Sequence, residues 1–209
     1  MHLLEYEREL YSVGISKIAG IDEVGRGSLA GPVVACAVIL PANVQITGVN
    51  DSKALSAKKR DLLASEIKLA AIDYSVGWVD ESLIDKINIL QATYKAMHIA
   101  LTNLKNPPQY ILIDGLQGTW RPNIPHKFIK KGDKLSHSIA AASIIAKTAR
   151  DSYMQKCHEK YPQYGFDKNK GYGTKKHVDA IKKYGICPLH RQTFLTKILE
   201  NNENKSERT

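Results

Sequence analysis

The segment Ile18-Ala19-Gly20-Ile21-Asp22-Glu23-Val24-Gly25-Arg26-Gly27 constrains this chain more than any other. An apolar run ends in two adjacent carboxylates, and two glycines bracketing an arginine follow at once. Adjacent acids repel each other, so a fold that buries them needs a compensating cation. A cluster of hard oxygen ligands suits Mg²⁺ or Mn²⁺. Gly25 and Gly27 let the backbone turn sharply and approach a ligand without a Cβ in the way. Arg26 offers a rigid fork of donors for phosphate. One short segment therefore supplies both a metal site and a hand for a phosphate backbone. Asp-Glu alone is more often a solvated acidic turn; the complete D-E-x-G-R-G string is far more specific.

The pattern around this segment predicts an α/β fold. Lys17 to Glu23 and Val33 to Leu40 read as buried strands, joined by a hairpin-sized link and therefore antiparallel neighbours. A short amphipathic helix is expected within residues 1–16, with Leu3, Leu4 and Tyr11 covering one edge. Residues 41–57 form a polar loop with Ser56 as a helix cap. Lys58 to Ala71 has Leu62, Leu63, Ile67 and Ala70 at helical spacing, and Ile72 to Val79 reads as a third strand. Asp80 and Ser82 suit the N-cap of a short helix. A longer helix follows from Ile87 to Leu104, its apolar side carrying Ile89, Leu90, Tyr94, Met97 and Leu101, and Asn106-Pro107-Pro108 stops it.

Tyr110 to Ile113 is apolar at every residue, as in a strand covered on both faces. The helix before it predicts a parallel crossover. Asp114 then lies at the carboxyl end of that strand, where open α/β sheets place ligands; a turn Asp before Gly115 is the plain alternative. His126 to Lys130 reads as a short strand leading to Asp133. That residue either meets the dipole of the following helix, Ser136 to about Lys160, or holds a metal. The small residues in the middle of this helix read as core packing. The Asp22 and Asp114 carboxylates meet if their strands are neighbours. Glu23 can join them only where the strand ends or distorts, because successive side chains point to opposite faces.

Residues 161–174 interleave tyrosines, glycines and lysines, too Gly-rich for a helix and not alternating enough for a strand. Such a loop can stack on sugars or bases while its lysines hold phosphates, or simply fold over the core. Helices from Lys175 to Tyr184 and from about Arg191 to Leu199 follow. His177 and His190 are candidates for phosphate contacts or for packing. Residues 201–209 read as a polar, disordered tail whose removal changes little.

The net charge of +9 and a pI of about 9.3 favour a polyanionic partner. Three cysteines without C-x-x-C spacing argue against a disulfide framework or a zinc site and for a reducing, cytoplasmic setting. The charged N-terminus does not read as a signal peptide, and no apolar run is long enough to span a bilayer.

D-E-x-G-R-G resembles the signature of ribonuclease HII, the type 2 ribonuclease H family. Asp51-Ser52-Lys53-Ala54-Leu55-Ser56, Ile113-Asp114-Gly115, Lys131-Gly132-Asp133, Ser138 to Lys147, Arg150-Asp151, Tyr164-Gly165-Phe166 and Lys170-Gly171-Tyr172-Gly173-Thr174 resemble its motifs in family order. The resemblance runs from about Ala19 to Phe194. It implies a ribonuclease H-like α/β fold, a five-stranded mixed sheet flanked by helices with a small helical C-terminal region. Residues 1–200 are expected to form one catalytic domain, of which about 161–200 is a helical substrate-binding region. The resemblance implies that Asp22, Glu23, Asp114 and Asp133 bind two divalent ions, Mg²⁺ or Mn²⁺, for in-line hydrolysis of a phosphodiester. It further implies that Gly25, Arg26 and Gly27 read the ribose 2′-hydroxyl, that Tyr172 packs at the RNA–DNA junction, and that Lys53 joins the substrate-binding set. The expected substrates are RNA–DNA hybrids and duplex DNA carrying single ribonucleotides. Cleavage falls 5′ of the ribonucleotide, by a monomer without membrane contact. Ribonuclease HIII carries similar motifs behind an N-terminal binding domain, for which 21 residues before Asp22 leave no room. A related transposase nuclease is disfavoured by the G-R-G and K-G-Y-G strings. A noncatalytic nucleic-acid-binding module explains the charge but not acids at three separate places.

Overall fold

A computed structural model describes residues 3–42, 44–49, 55–115, 118–196, 198 and 199. The elements in chain order are α1 (Glu5–Ser12), β1 (Ile18–Val24), β2 (Val33–Ile39), α2 (Ala57–Ala70), β3 (Asp73–Val79), α3 (Glu81–Thr102), β4 (Tyr110–Asp114), β5 (His126–Ile129), α4 (His137–Lys160), α5 (Phe166–Asn169) and α6 (Lys175–Tyr184). Residues 192–196 are also helical. The strands form one mixed sheet in the order β3-β2-β1-β4-β5. β1 and β2 are antiparallel, as are β2 and β3, while β4 runs parallel to both β1 and β5. The five-stranded mixed sheet flanked by helices agrees with the sequence expectation.

The period-2 alternation of the central strands divides the core in two. Ala19 and Ile21 of β1, the odd-numbered residues of β2, and Ile111 and Ile113 of β4 pack with Ala92, Ala96 and Ala100 of α3. Cys36 and Val38 of β2 instead pack with Leu63 and Ile67 of α2 and with Ala140 to Ala142 of α4. Small residues set the distances. A Cβ at Gly20 would overlap the backbone of Ser138, and one at Gly77 the backbone of Ala96. α4 therefore lies against β1, and α3 against β3, at glycine separation.

α1 is tied to the start of α4 by a buried carboxylate. Glu7 Oε1 accepts from Ser136 Oγ at 2.6 Å, Ser138 N at 3.0 Å and Ser138 Oγ at 2.7 Å. An acid there also suits the positive end of the helix dipole.

Several local expectations change. The short helix after Asp80 and the longer one that follows form α3, broken at Asn88, whose φ of 64° and ψ of 164° are non-helical. The Asn88 side chain accepts from Leu90 N and Gln91 N, so it caps the second half from inside. Leu62 and Leu90, assigned from spacing to apolar faces, are 59% and 39% exposed. Leu90 falls at the edge of the stripe its helix buries, whereas Leu62 lies on the solvent side of α2, away from Arg60, Leu63, Ala64 and Ile67. The 161–174 segment is more helical than its glycines suggest: a 3₁₀ turn at Pro162–Tyr164 and the short α5 are joined at Gly165, whose φ is +66°. Glycine in a left-handed conformation makes that junction without strain. Among the described residues no helix is long and apolar enough to cross a membrane.

Candidate active site

The parallel pairing of β1 with β4 aligns Ile21 with Ile113. It therefore brings Asp22 and Asp114, the next residue of each strand, to the same end of the sheet. Asp22 follows the parity of Gly20 and lies on the α4 side, where its neighbours include Ser143. Glu23 has the opposite parity and still pairs with Ala35 of β2. β4 stops at Asp114, however, so past that strand end the longer Glu23 side chain is not held to one face. Oxygens of Asp22, Glu23 and Asp114 all lie within 4.8 Å of one another. β1 itself runs on through Glu23 to Val24 in register with β2, so it does not end at Glu23 as the sequence analysis required, and the acids meet where the neighbouring β4 has ended.

Two amides hold the cluster. Asp22 Oδ1 accepts from Glu23 N at 2.7 Å, and Asp114 Oδ1 accepts from Gly132 N at 2.6 Å. Burial pushes the Asp22 carboxyl well above the usual range, and the charges of Glu23 and Asp114 push the same way. Glu23 is also raised, first by burial; Arg26 opposes the shift and Asp114 adds to it. The Arg26 guanidinium lies 3.5 Å from Glu23 Oε1 with its side chain half exposed. Three carboxylates this close, two of them reluctant to ionise, fit a divalent cation: the donor set is hard oxygen and the missing charge is positive.

Asp133 is buried in a 3₁₀ turn, Gly132–Lys134, beside the amide that caps Asp114. Its carboxylate does not belong to the 4.8 Å group formed by the other three. Lys53 lies outside the described residues.

The two glycines beside Arg26 differ in kind. Gly25 has φ of +92°, and a Cβ there would collide with Arg150 and the Pro32 carbonyl. Gly27 has no positive φ, and a Cβ would meet nothing within 4 Å. The first glycine is demanded by the fold, and the second leaves open space. The loop is gripped from inside by two arginines, Arg150 and Arg191, both fully buried. Arg150 donates to the carbonyls of Pro32 at 2.9 Å, Lys170 at 2.9 Å and Ala30 at 3.1 Å. Arg191 donates to those of Gly31 at 2.6 Å, Gly25 at 2.7 Å and Arg26 at 2.9 Å. Sequence reasoning missed both roles. A charged residue in an amphipathic helix normally marks its wet face, and neither arginine carries a local signal that it points inward.

Tyr172 is 36% exposed, and its ring lies 5.5 Å from the Arg150 guanidinium carbon and 5.9 Å from Lys147 Nζ. It pairs with Ser28, so the 170–174 segment adjoins the Gly-Arg-Gly loop directly. His177 and His190, left open between phosphate contact and packing, are both buried.

The sequence model of ribonuclease HII matches residues 19–197. A ribonuclease HII of Caldanaerobacter subterraneus subsp. tengcongensis is 53% identical over 197 residues, covering 93% of this chain and 80% of its own. One of Acetivibrio thermocellus is 56% identical over 189 residues, covering 90% of this chain and 73% of its own. The crystal structure of the ribonuclease H2 from Pyrococcus horikoshii OT3 superposes with a TM-score of 0.74 at 29% identity, over 90% of this chain and 99% of that one. With the acids gathered at the end of the expected sheet, these similarities show that the chain belongs to the ribonuclease HII family, the metal-dependent type 2 ribonucleases H that act as endonucleases on RNA–DNA hybrids.

Proposed function

We propose that Asp22, Glu23, Asp114 and Asp133 form the catalytic metal centre, and that the enzyme cuts both the RNA of hybrids and the 5′ side of single ribonucleotides embedded in duplex DNA. The observation that carries this reading is the meeting of three carboxylates, one buried and two half-buried, within 4.8 Å at one end of the sheet. Two divalent ions, Mg²⁺ or Mn²⁺, held there would supply activation of the attacking water and stabilisation of the leaving 3′ oxygen. The protein's own part is to hold the ligands in place and to select the substrate. The Gly132 amide orients Asp114, and Asp133 stands one residue further on. Arg26 balances Glu23 and has exposed surface left for a phosphate. The open space over Gly27 suits close approach of the sugar that carries the 2′-hydroxyl, the group that separates RNA from DNA. Tyr172 packs on the sugar at the RNA–DNA junction. The products are a 3′-hydroxyl and a 5′-phosphate, and the enzyme works as a cytoplasmic monomer on a single domain that includes the C-terminal helical region.

The test is digestion of a duplex containing one ribonucleotide, and of the same duplex without it, in Mg²⁺, in Mn²⁺ and in chelator. A single cut 5′ of the ribonucleotide, ending in a 3′-hydroxyl and dependent on added metal, is the expected outcome. Undiminished cutting in chelator, or binding without any cut, would overturn the assignment; the latter would favour a noncatalytic binding module.

A further inference from the structure

His177 and His190 face each other in the buried C-terminal region, outside the acid cluster. Their Nε2 atoms are 3.1 Å apart. His177 Nδ1 lies 2.9 Å from the Tyr172 carbonyl oxygen, and the Cys187 amide lies 2.9 Å from His190 Nδ1. The two outer partners fix every proton between them. A carbonyl oxygen can only accept, so His177 Nδ1 carries hydrogen. A backbone amide can only donate, so His190 Nδ1 carries none. Neutral imidazole holds one hydrogen, so His190 has it on Nε2 and His177 Nε2 is bare. The inner contact is then a hydrogen bond donated by His190 to His177. Burial lowers the pKa of both rings, which favours the neutral forms this pattern needs. The Cys187 carbonyl, 3.3 Å from His190 Nδ1, would accept from that nitrogen if it carried hydrogen; the amide donating to the same nitrogen at 2.9 Å excludes this, and the carbonyl accepts from His190 N at 3.0 Å instead.

The chain closes on itself through the backbone. Tyr172 pairs with Ser28, and Gly171 O accepts from Leu29 N at 2.8 Å. Ala30 pairs with His190, and Arg191 N donates to Leu29 O at 2.9 Å. The circuit therefore runs from the Gly-Arg-Gly loop to Tyr172, through the two imidazoles to residue 190, and back to the same loop.

We propose that His177 and His190 are positioning residues: a one-way hydrogen-bond relay that fixes the Tyr172 backbone relative to the 25–32 loop, and with it the spacing between the two groups that meet the RNA–DNA junction. The inference rests on the reading of Tyr172 as a junction contact, but its proton pattern stands independently. Neither imidazole touches substrate. The relay's effect is on selectivity for a single ribonucleotide, which must place one sugar against both groups at once. A long hybrid can be cut in many registers.

Two measurements test it. Imidazole ¹⁵N spectra at neutral pH should show opposite neutral tautomers, Nδ1–H for His177 and Nε2–H for His190, assigned with single His→Gln variants. The same tautomer on both, or a charged ring, would overturn the relay. For function, kcat/KM is measured on the single-ribonucleotide duplex and on a long hybrid for wild type, His190→Leu, His190→Gln and Tyr172→Ala. His190→Leu removes the donor and should lose about five- to tenfold on the single ribonucleotide, the size of one net hydrogen bond, with a smaller loss on the hybrid. His190→Gln retains an amide donor toward His177 and should recover most of that loss. Equal losses on both substrates, or no rescue by Gln, would make the pair merely structural and sink the proposal. If Tyr172→Ala itself leaves the substrate ratio unchanged, the junction reading fails while the tautomer result stands, so the two failures are distinguishable.

Discussion

At the scale of single residues, charge and backbone freedom make separate demands. Asp22, Glu23 and Asp114 repel one another in the metal-free protein. Asp114→Asn should therefore abolish cleavage, since a neutral amide holds a divalent ion poorly, yet leave the fold intact and raise the Tm of chelator-treated protein. Activity within about tenfold of wild type at saturating Mg²⁺, roughly 1.4 kcal/mol in the barrier, would refute the role of Asp114. The sign with pH follows from the raised carboxyls of Asp22 and Glu23. The folded metal-free state binds their protons more tightly than the unfolded chain does. The stability these two carboxyls contribute is thus complete below the ordinary carboxylate range and is lost as pH rises through the raised values. The decline should be shallower in Asp114→Asn, as read from thermal melts across pH in chelator. The neighbouring glycines separate fold from recognition. Gly25→Ala forces a Cβ into Arg150 at a positive φ and should lower Tm by several degrees. Gly27→Ala should melt like wild type and lose activity through KM. Matched melting and kinetics for the two variants would show that this distinction is wrong.

At the scale of elements, the C-terminal region is held to the loop by the Arg191 guanidinium and by backbone pairing, and its own interior is built on neutral rings. Tyr164 and Phe166 pack around His177 and His190, and neither ring has a carboxylate among the influences on its pKa. His190 is lowered from 6.5 to about 4 and His177 is lowered in the same direction. The unfolded chain therefore binds protons that the folded state refuses. The stability supplied by the pair is complete above about pH 6.5 and is lost as pH falls toward 4. Amide exchange of α6 should accelerate over that window before exchange of β1 and β4 does. Simultaneous loosening of α6 and the central strands would show that the region has no local stability of its own. The break in α3 is a second element-level event: Asn88 turns one helical stretch into two without interrupting the burial of Ala92, Ala96 and Ala100.

At the scale of the molecule, the balance of charge bears on binding and not on fold. The net charge is +9, and the acids that oppose it include the three gathered at one sheet edge. Phosphate contacts from lysines and arginines release counterions, so hybrid affinity should fall steeply and linearly on a log–log plot against salt. Binding measured with catalytically silent Asp114→Asn isolates this from turnover. A flat salt response would mean that the basic surface does not touch the backbone.

The sequence by itself determined the elements and their order, because burial on one face leaves a local period. Apolar runs marked β1, β2 and β4, alternation marked β3, and the expected caps at Ser56 and Asp80 accept from the amides three residues on, as Ser136 also does. It also singled out Asp22 and Glu23, through the complete D-E-x-G-R-G string, and Asp114, through its place at the carboxyl end of an apolar strand. Only the tertiary structure decided how these acids meet. The register of β1 on β4 and the end of β4 at Asp114 let Glu23 escape its own parity. It also set Asp133 in a buried turn next to Gly132, whose amide holds Asp114, with its carboxylate outside the group of three. The inward roles of Arg150 and Arg191 and the pairing of His177 with His190 were not legible in the sequence, because most of their partners are backbone carbonyls and amides. Every residue carries those groups, so nothing in the side-chain pattern announces which of them a distant arginine or imidazole will find. Three-dimensional closure of residues 25–32 against 170–172 and 189–191 supplies that choice.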